Sequence, residues 1–76
     1  MNNARRKQIE GIRTEIETVG DQLKELMSEE QEYYDNMPEG LQGSEKGDTA
    51  QEAIDNIQGA IDCLEEAAVA LEDAQG

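Results

Sequence analysis

The chain has no histidine, tryptophan or phenylalanine, one cysteine, one proline and only six basic residues. Each shortage removes a class of function. Without histidine there is neither the usual general base of neutral pH nor the commonest metal ligand, so no catalytic or metal centre is expected. Six basic residues against nineteen acidic ones leave a net charge of −13, which repels nucleic acid and anionic membrane alike. Seventy-six residues make one small domain, with too little surface to enclose a deep substrate pocket. The lone Cys63 has no partner for an internal disulfide. The basic start, Arg5-Arg6-Lys7, is followed by no apolar run of signal-peptide or membrane-spanning length, and there is no Asn-x-Ser/Thr site. A reducing, cytoplasmic location is the expectation.

What the chain does contain is helical periodicity. From about Asn3 to about Asp35 the apolar positions Ile9, Ile12, Ile16, Val19, Leu23 and Leu26 alternate in steps of three and four, the a/d seam of a heptad repeat. The same register continues through Glu30 to Tyr33 and Met37. It leaves Gly11 and Gly20 outside the seam, each weakening the helix by about 1 kcal/mol relative to alanine. A second helix is expected over about 48–74. Asp48 with Gln51 three residues on makes a capping-box-like start, and Ser44 is an earlier candidate cap. From Ala53 onward the sequence repeats every seven residues: Ile54, Ile61 and Ala68 in one seam position, Ile57, Leu64 and Leu71 in the other, with Ala53, Ala60, Ala67 and Ala74 beside them. Small residues at that spacing let a facing helix approach closely. Between the helices, residues 36–47 hold Pro38, which cannot continue a helix interior, and three glycines.

Charge selects the topology. Residues 1–13 carry four basic residues and one acid, net +3, whereas residues 14–76 carry two basic residues and eighteen acids, net −16. An antiparallel hairpin sets Arg5, Arg6 and Lys7 beside Glu65, Glu66, Glu72 and Asp73, acids that sit poorly at the negative end of their own helix. The fold expected is therefore all-α, an antiparallel two-helix hairpin. Two helices bury only one stripe each, so a second copy is expected to complete the core as a four-helix bundle. Ile9, Ile12, Ile16, Val19, Leu23, Leu26, Ile54, Ile57, Ile61, Leu64 and Leu71 are the self-association candidates, with Met27, Ile12 and Val69 available for a second interface.

No motif of catalysis stands out. Glu29, Glu30 and Glu32 form a carboxylate cluster, and Glu30 falls on the seam as a polar end to the core or a buried acid setting register. Bundle metal sites use Glu-x-x-His pairs, which are absent, and Asp35, Glu39, Glu45 and Asp48 do not have calcium-loop spacing. No cofactor is implied. The least repetitive stretch holds Tyr33, Tyr34, Asp35, Met37, Glu39 and Leu41; both aromatics lie here, and tyrosines are frequent interface anchors. It is the candidate partner-binding tip. One tyrosine capping the core and the other facing solvent is the plainer reading.

The run Tyr33-Tyr34-Asp35-Asn36-Met37-Pro38-Glu39-Gly40-Leu41-Gln42-Gly43-Ser44-Glu45-Lys46-Gly47, followed by Ala53-Ile54-Asp55-Asn56, resembles small acidic helical proteins of phages and prophages of Gram-positive bacteria. The resemblance covers residues 25–70 and implies a mobile-element origin in a bacterial host cell. By analogy with that class, it points to binding of a host or phage protein, sometimes by imitating the charge of DNA. Three functions are then distinguishable. A non-catalytic protein-binding module would inhibit or tether a protein partner. In its DNA-mimic form, Glu29, Glu32, Asp55, Asp62, Glu65 and Glu66 would enter a basic cleft. A structural protein would exist for its own oligomer. A nucleotide-binding sponge would rely on Arg5, Arg6, Lys7 and Arg13.

Overall fold

The computed structural model describes residues 1–76 as three helices: α1 (Asn3–Asp35), α2 (Glu39–Gln42) and α3 (Glu45–Ala74). The long helices α1 and α3 pack antiparallel along their length, giving a rod of 58 × 15 × 11 Å. No helix is long and apolar enough to cross a membrane.

Local chemistry sets the ends. Asn2 caps α1, its Oδ1 accepting the Arg5 N–H at 2.8 Å and satisfying one of the free donors of the first turn. At the other end Pro38, extended at φ −56° and ψ 146°, stops the chain from continuing as helix. The Pro38 carbonyl then accepts from the Leu41 and Gln42 N–H groups, which makes α2 a single turn inside the segment expected to be loop. The Gln42 side chain reaches back across this turn and donates to the carbonyls of Tyr34 and Met37 at 3.2 and 3.3 Å. The Tyr34 carbonyl is in the last turn of α1 and the Met37 carbonyl lies just beyond it, so one amide ties the turn to the helix it leaves. Ser44 is the N-cap residue of α3, but its hydroxyl bonds the Leu41 carbonyl rather than the helix amides, and Asp48 lies inside the first turn, not at a cap.

The seam differs from the expected one. On α1 the residues turned toward α3 are Ile9, Arg13, Ile16, Gly20, Leu23, Met27, Glu30 and Tyr34. They share Ile9, Ile16, Leu23 and Glu30 with the expected stripe, but take the flank at 13, 20, 27 and 34 in place of 12, 19, 26 and 33. Ile12, Val19, Leu26 and Tyr33 are 49, 46, 52 and 51% exposed. Both flanks complete a heptad pattern with the central row, so periodicity alone does not choose between them. The observed flank has two features the other lacks. Gly20, buried, removes a side chain between the helices, and Arg13 reaches Glu72 of α3 at 3.3 Å. On α3 the seam is Ala50, Ile54, Ile57, Ile61, Leu64, Ala68 and Leu71, of which only Ala50, Ile54 and Ile61 are fully buried.

Candidate functional site

The surface of the rod divides into four regions: the tip, two long sides and the end where the termini meet. At the tip, Tyr33, Met37 and Leu41 border a shallow depression of about 290 Å³ together with Asn36, Pro38 and Lys46. Tyr33 and Leu41 are exposed, whereas Tyr34 turns into the seam and is half-buried, as is Met37. Asp35 accepts a hydrogen bond from Gln31 at 2.9 Å on the outside of α1, and Glu39 is exposed on the first turn of α2. The structure thus gathers Tyr33, Met37 and Leu41 and leaves Tyr34, Asp35 and Glu39 outside that depression.

One long side is charged. Along it a groove of about 300 Å³ runs between the helices, floored by Ile16, Gly20, Ile61, Leu64 and Ala68 and rimmed by Arg13, Glu17, Asp21, Lys24, Glu65 and Val69. Lys24 Nζ lies 3.6 Å from Glu65 across it. Farther around α3, Asp62, Glu65, Glu66 and Asp73 surround a shallow depression with Val69 and Ala70. Of the acids singled out in the sequence, Asp62, Glu65 and Glu66 come together here, with Asp55 two turns away on the same flank of α3. Glu29 and Glu32 are on α1 near the turn and are not part of this set.

The opposite long side is apolar. A helix turns about 100° per residue, so Ile12, Val19, Leu26 and Tyr33 form one row along α1. Tyr33 and Glu30 meet Glu45, Lys46, Thr49 and Ala50 of α3, which identifies the α3 residues on this side. Continuing that stripe at helical spacing gives Ala53, Ile57, Ala60, Leu64, Ala67 and Leu71, with no acid among them. Glu15 and Glu29 stand at the outer edge on α1. Glu30 is half-buried at the end of the seam beside Lys46.

At the end where the termini meet, the basic cluster is engaged with the chain's own groups, though not with the acids expected. Arg6 Nε donates to the Gln75 carbonyl at 3.0 Å and its Nη1 to Asn3. Arg13 Nη1 contacts Glu10 at 3.3 Å, and its Nη2 contacts Glu72 at 3.3 Å and Glu17 at 3.8 Å. Arg5 and Lys7 form no ion pair. The junction is closed by Gln75 Nε2, which donates to Glu10 at 2.8 Å. Two turns further along α1, in the same heptad row as Arg6, Arg13 has taken the role expected of Arg5, Arg6 and Lys7: it lies level with Glu72, whereas Arg6 meets the Gln75 carbonyl beyond the end of α3.

No three carboxylate or thiolate side chains converge in a geometry that could hold a metal ion, and Cys63 stands exposed on α3. The chemistry on offer is that of surfaces: a half-apolar tip, an acidic side and an apolar side. Comparison with known protein families, curated proteins and solved structures finds no match to this chain.

Proposed function

We propose that this protein is a non-catalytic binding module that works as a dimer of hairpins, a four-helix bundle, and presents its acidic sides to a basic surface of a protein partner. A small phage-type factor acting in the host cytoplasm, inhibiting or tethering a nucleic-acid-handling protein by imitating the charge of DNA, is its sharpest form. The observation that carries the reading is the separation of charge. Asp55, Asp62, Glu65, Glu66 and Asp73 collect on one flank of α3 while the stripe from Ala53 to Leu71 has no acid. Clustered carboxylates on a rigid rod create a field that steers a basic partner and suppresses wrong ones.

The test is salt. Host proteins retained on the immobilised dimer at low ionic strength should elute steeply as salt rises, and duplex DNA should compete for them. Retention that survives 1 M salt and ignores DNA would overturn mimicry and move the binding role to the tip at Tyr33, Met37 and Leu41.

A purely structural role, self-assembly for its own sake, is favoured by the exposed apolar row of α1. It predicts a stable oligomer with no partner that responds to salt. A nucleotide sponge finds less support, because Arg6 and Arg13, two of its four proposed cations, are already bound to Gln75, Glu10 and Glu72.

A further inference from the structure

The reading above asks for a dimer, and the division of the surface specifies which one. We infer that a second copy of this chain covers the apolar side, with α1 of each copy lying antiparallel on α3 of the other, about a two-fold axis parallel to the helices. The inference rests on self-association and goes beyond it by naming the face, the helix pairing and the axis.

The occupant is argued from four observations. First, the hairpin is incomplete alone: only Ala50, Ile54 and Ile61 form its fully buried apolar core. A core this small supplies little stability by itself, and a single cysteine supplies no internal staple. Second, the exposed row Ile12, Val19, Leu26 and Tyr33 runs the length of α1, on a rod whose broad face measures 58 by 15 Å. That is the size of the roughly 800 Å² per partner that a standard stable interface buries. Third, the charge is arranged to permit it. Two copies of a −13 chain repel, and along the stripe from Ala53 to Leu71 the apolar side of α3 carries no carboxylate, Glu45 standing at the turn end beside Lys46. Fourth, the face is self-complementary. The bulky row on α1 and the alanine row on α3 (Ala53, Ala60, Ala67) each repeat every seven residues, about 10.5 Å.

The rows choose the axis. A two-fold axis parallel to the helices brings the large row of each copy over the small row of the other. Every helix then has antiparallel neighbours, the same arrangement α1 and α3 adopt within the hairpin. A two-fold axis perpendicular to the helices would instead stack large row on large row and alanine on alanine, leaving one pair crowded and the other loose.

Cys63, exposed on α3 outside the seam, provides a single labelling position per chain. In the proposed dimer the two α3 helices are diagonal neighbours. Adjacent axes about 8–10 Å apart set diagonal axes about 11–14 Å apart, and labels on the exposed Cys63 side chains project outward from opposite corners, so they should lie roughly 25 Å apart. With the perpendicular axis the α3 helices are adjacent and the separation falls within about 15 Å.

Three measurements decide it: solution mass, the label distance, and the mass of two variants. The double variant Val19→Lys, Leu26→Lys should halve the mass while the helical circular dichroism persists, because neither side chain serves the hairpin seam. Val69→Lys, on the charged side, should leave the mass unchanged. A wild-type monomer would overturn both the dimer and this inference. A dimer that survives V19K/L26K, dissociates with V69K, or gives the short label distance would overturn this inference alone and leave the dimeric reading standing. If the double variant loses its helical signal, Leu26→Gln alone, read by mass at several concentrations, replaces it. An unchanged dissociation constant for L26Q would count against the proposed face.

Discussion

Gly47 in the first turn of α3 packs directly against the main chain of Gln42, so closely that a methyl group at Gly47 would overlap the Gln42 carbonyl. The neighbour is backbone, not a flexible side chain, and that backbone is held in place by the Pro38 carbonyl at one end and the Ser44–Leu41 hydrogen bond at the other. Gly47→Ala should therefore destabilise the hairpin by about 2 kcal/mol or more, because the turn must shift to admit the methyl. Thermal unfolding checks it. A helix-interior Gly→Ala change normally raises the melting temperature, so a raised value would contradict the packing seen here.

Gly20 predicts the opposite. It is buried in the seam, yet a methyl group there meets nothing within 4 Å and would project into the groove between α1 and α3. Gly20→Ala should stabilise the protein by about 1 kcal/mol, from helix propensity and the lower backbone entropy of the unfolded chain. For a domain of this size that is about 4–8 °C in melting temperature. The G20A and G47A pair, measured together, separates a packing requirement from helix propensity, since propensity alone would move both the same way.

Gln42 joins the turn to the end of α1 through two hydrogen bonds to main-chain carbonyls. Gln42→Ala leaves the Tyr34 and Met37 carbonyls without this donor and should cost about 1 kcal/mol. Hydrogen exchange should show the loss locally, as faster exchange at residues 36–44 with little change at the centre of α3. Uniform acceleration along both helices would mean the turn is not a separate unit.

Arg13 is the cation that three acids share: Glu10 and Glu17 on its own helix and Glu72 on α3. Its side chain is 25% exposed, more enclosed than an ordinary surface pair. Arg13→Gln should cost about 1 kcal/mol at low salt, in part because Glu10, Glu17 and Glu72 are left facing one another. The difference should shrink in 1 M salt, where charge interactions are screened within about 3 Å. A cost independent of salt would assign Arg13 a packing role through its aliphatic stem instead. Lys24→Gln, removing a pair whose members are both more than half exposed, should change stability by less than R13Q does.

Two helices, their antiparallel order and the break at Pro38 were all legible in the residues, because each depends on a local rule. Apolar spacing of three and four makes a helix with one wet face; proline ends it; opposite charge at the two chain ends favours bringing them together. The turn is less legible. Its single helical turn and the Gln42 tie depend on which carbonyl each amide meets, and a segment of mixed Gly, Glu and Leu gives no periodic signal. Ser44 has the right residue type for a cap, but its hydroxyl donates to the Leu41 carbonyl and accepts from no helix amide.

The seam shows the division most clearly. From the residues alone, Ile9, Ile16, Leu23 and Glu30 must line the contact, because they belong to every heptad reading of α1. Whether their companions are Ile12, Val19, Leu26 and Tyr33, or Arg13, Gly20, Met27 and Tyr34, is a rotation of the helix by a fraction of a turn. Hydrophobicity favours the first set. Packing against α3 selected the second, where Gly20 is buried and Arg13 finds Glu72. Composition and period thus determined that the chain is a helical hairpin with more apolar surface than one hairpin buries. Which surface is left over was decided only by the contact between the two helices, because a heptad repeat constrains the spacing of a stripe and not the direction in which the helix turns it.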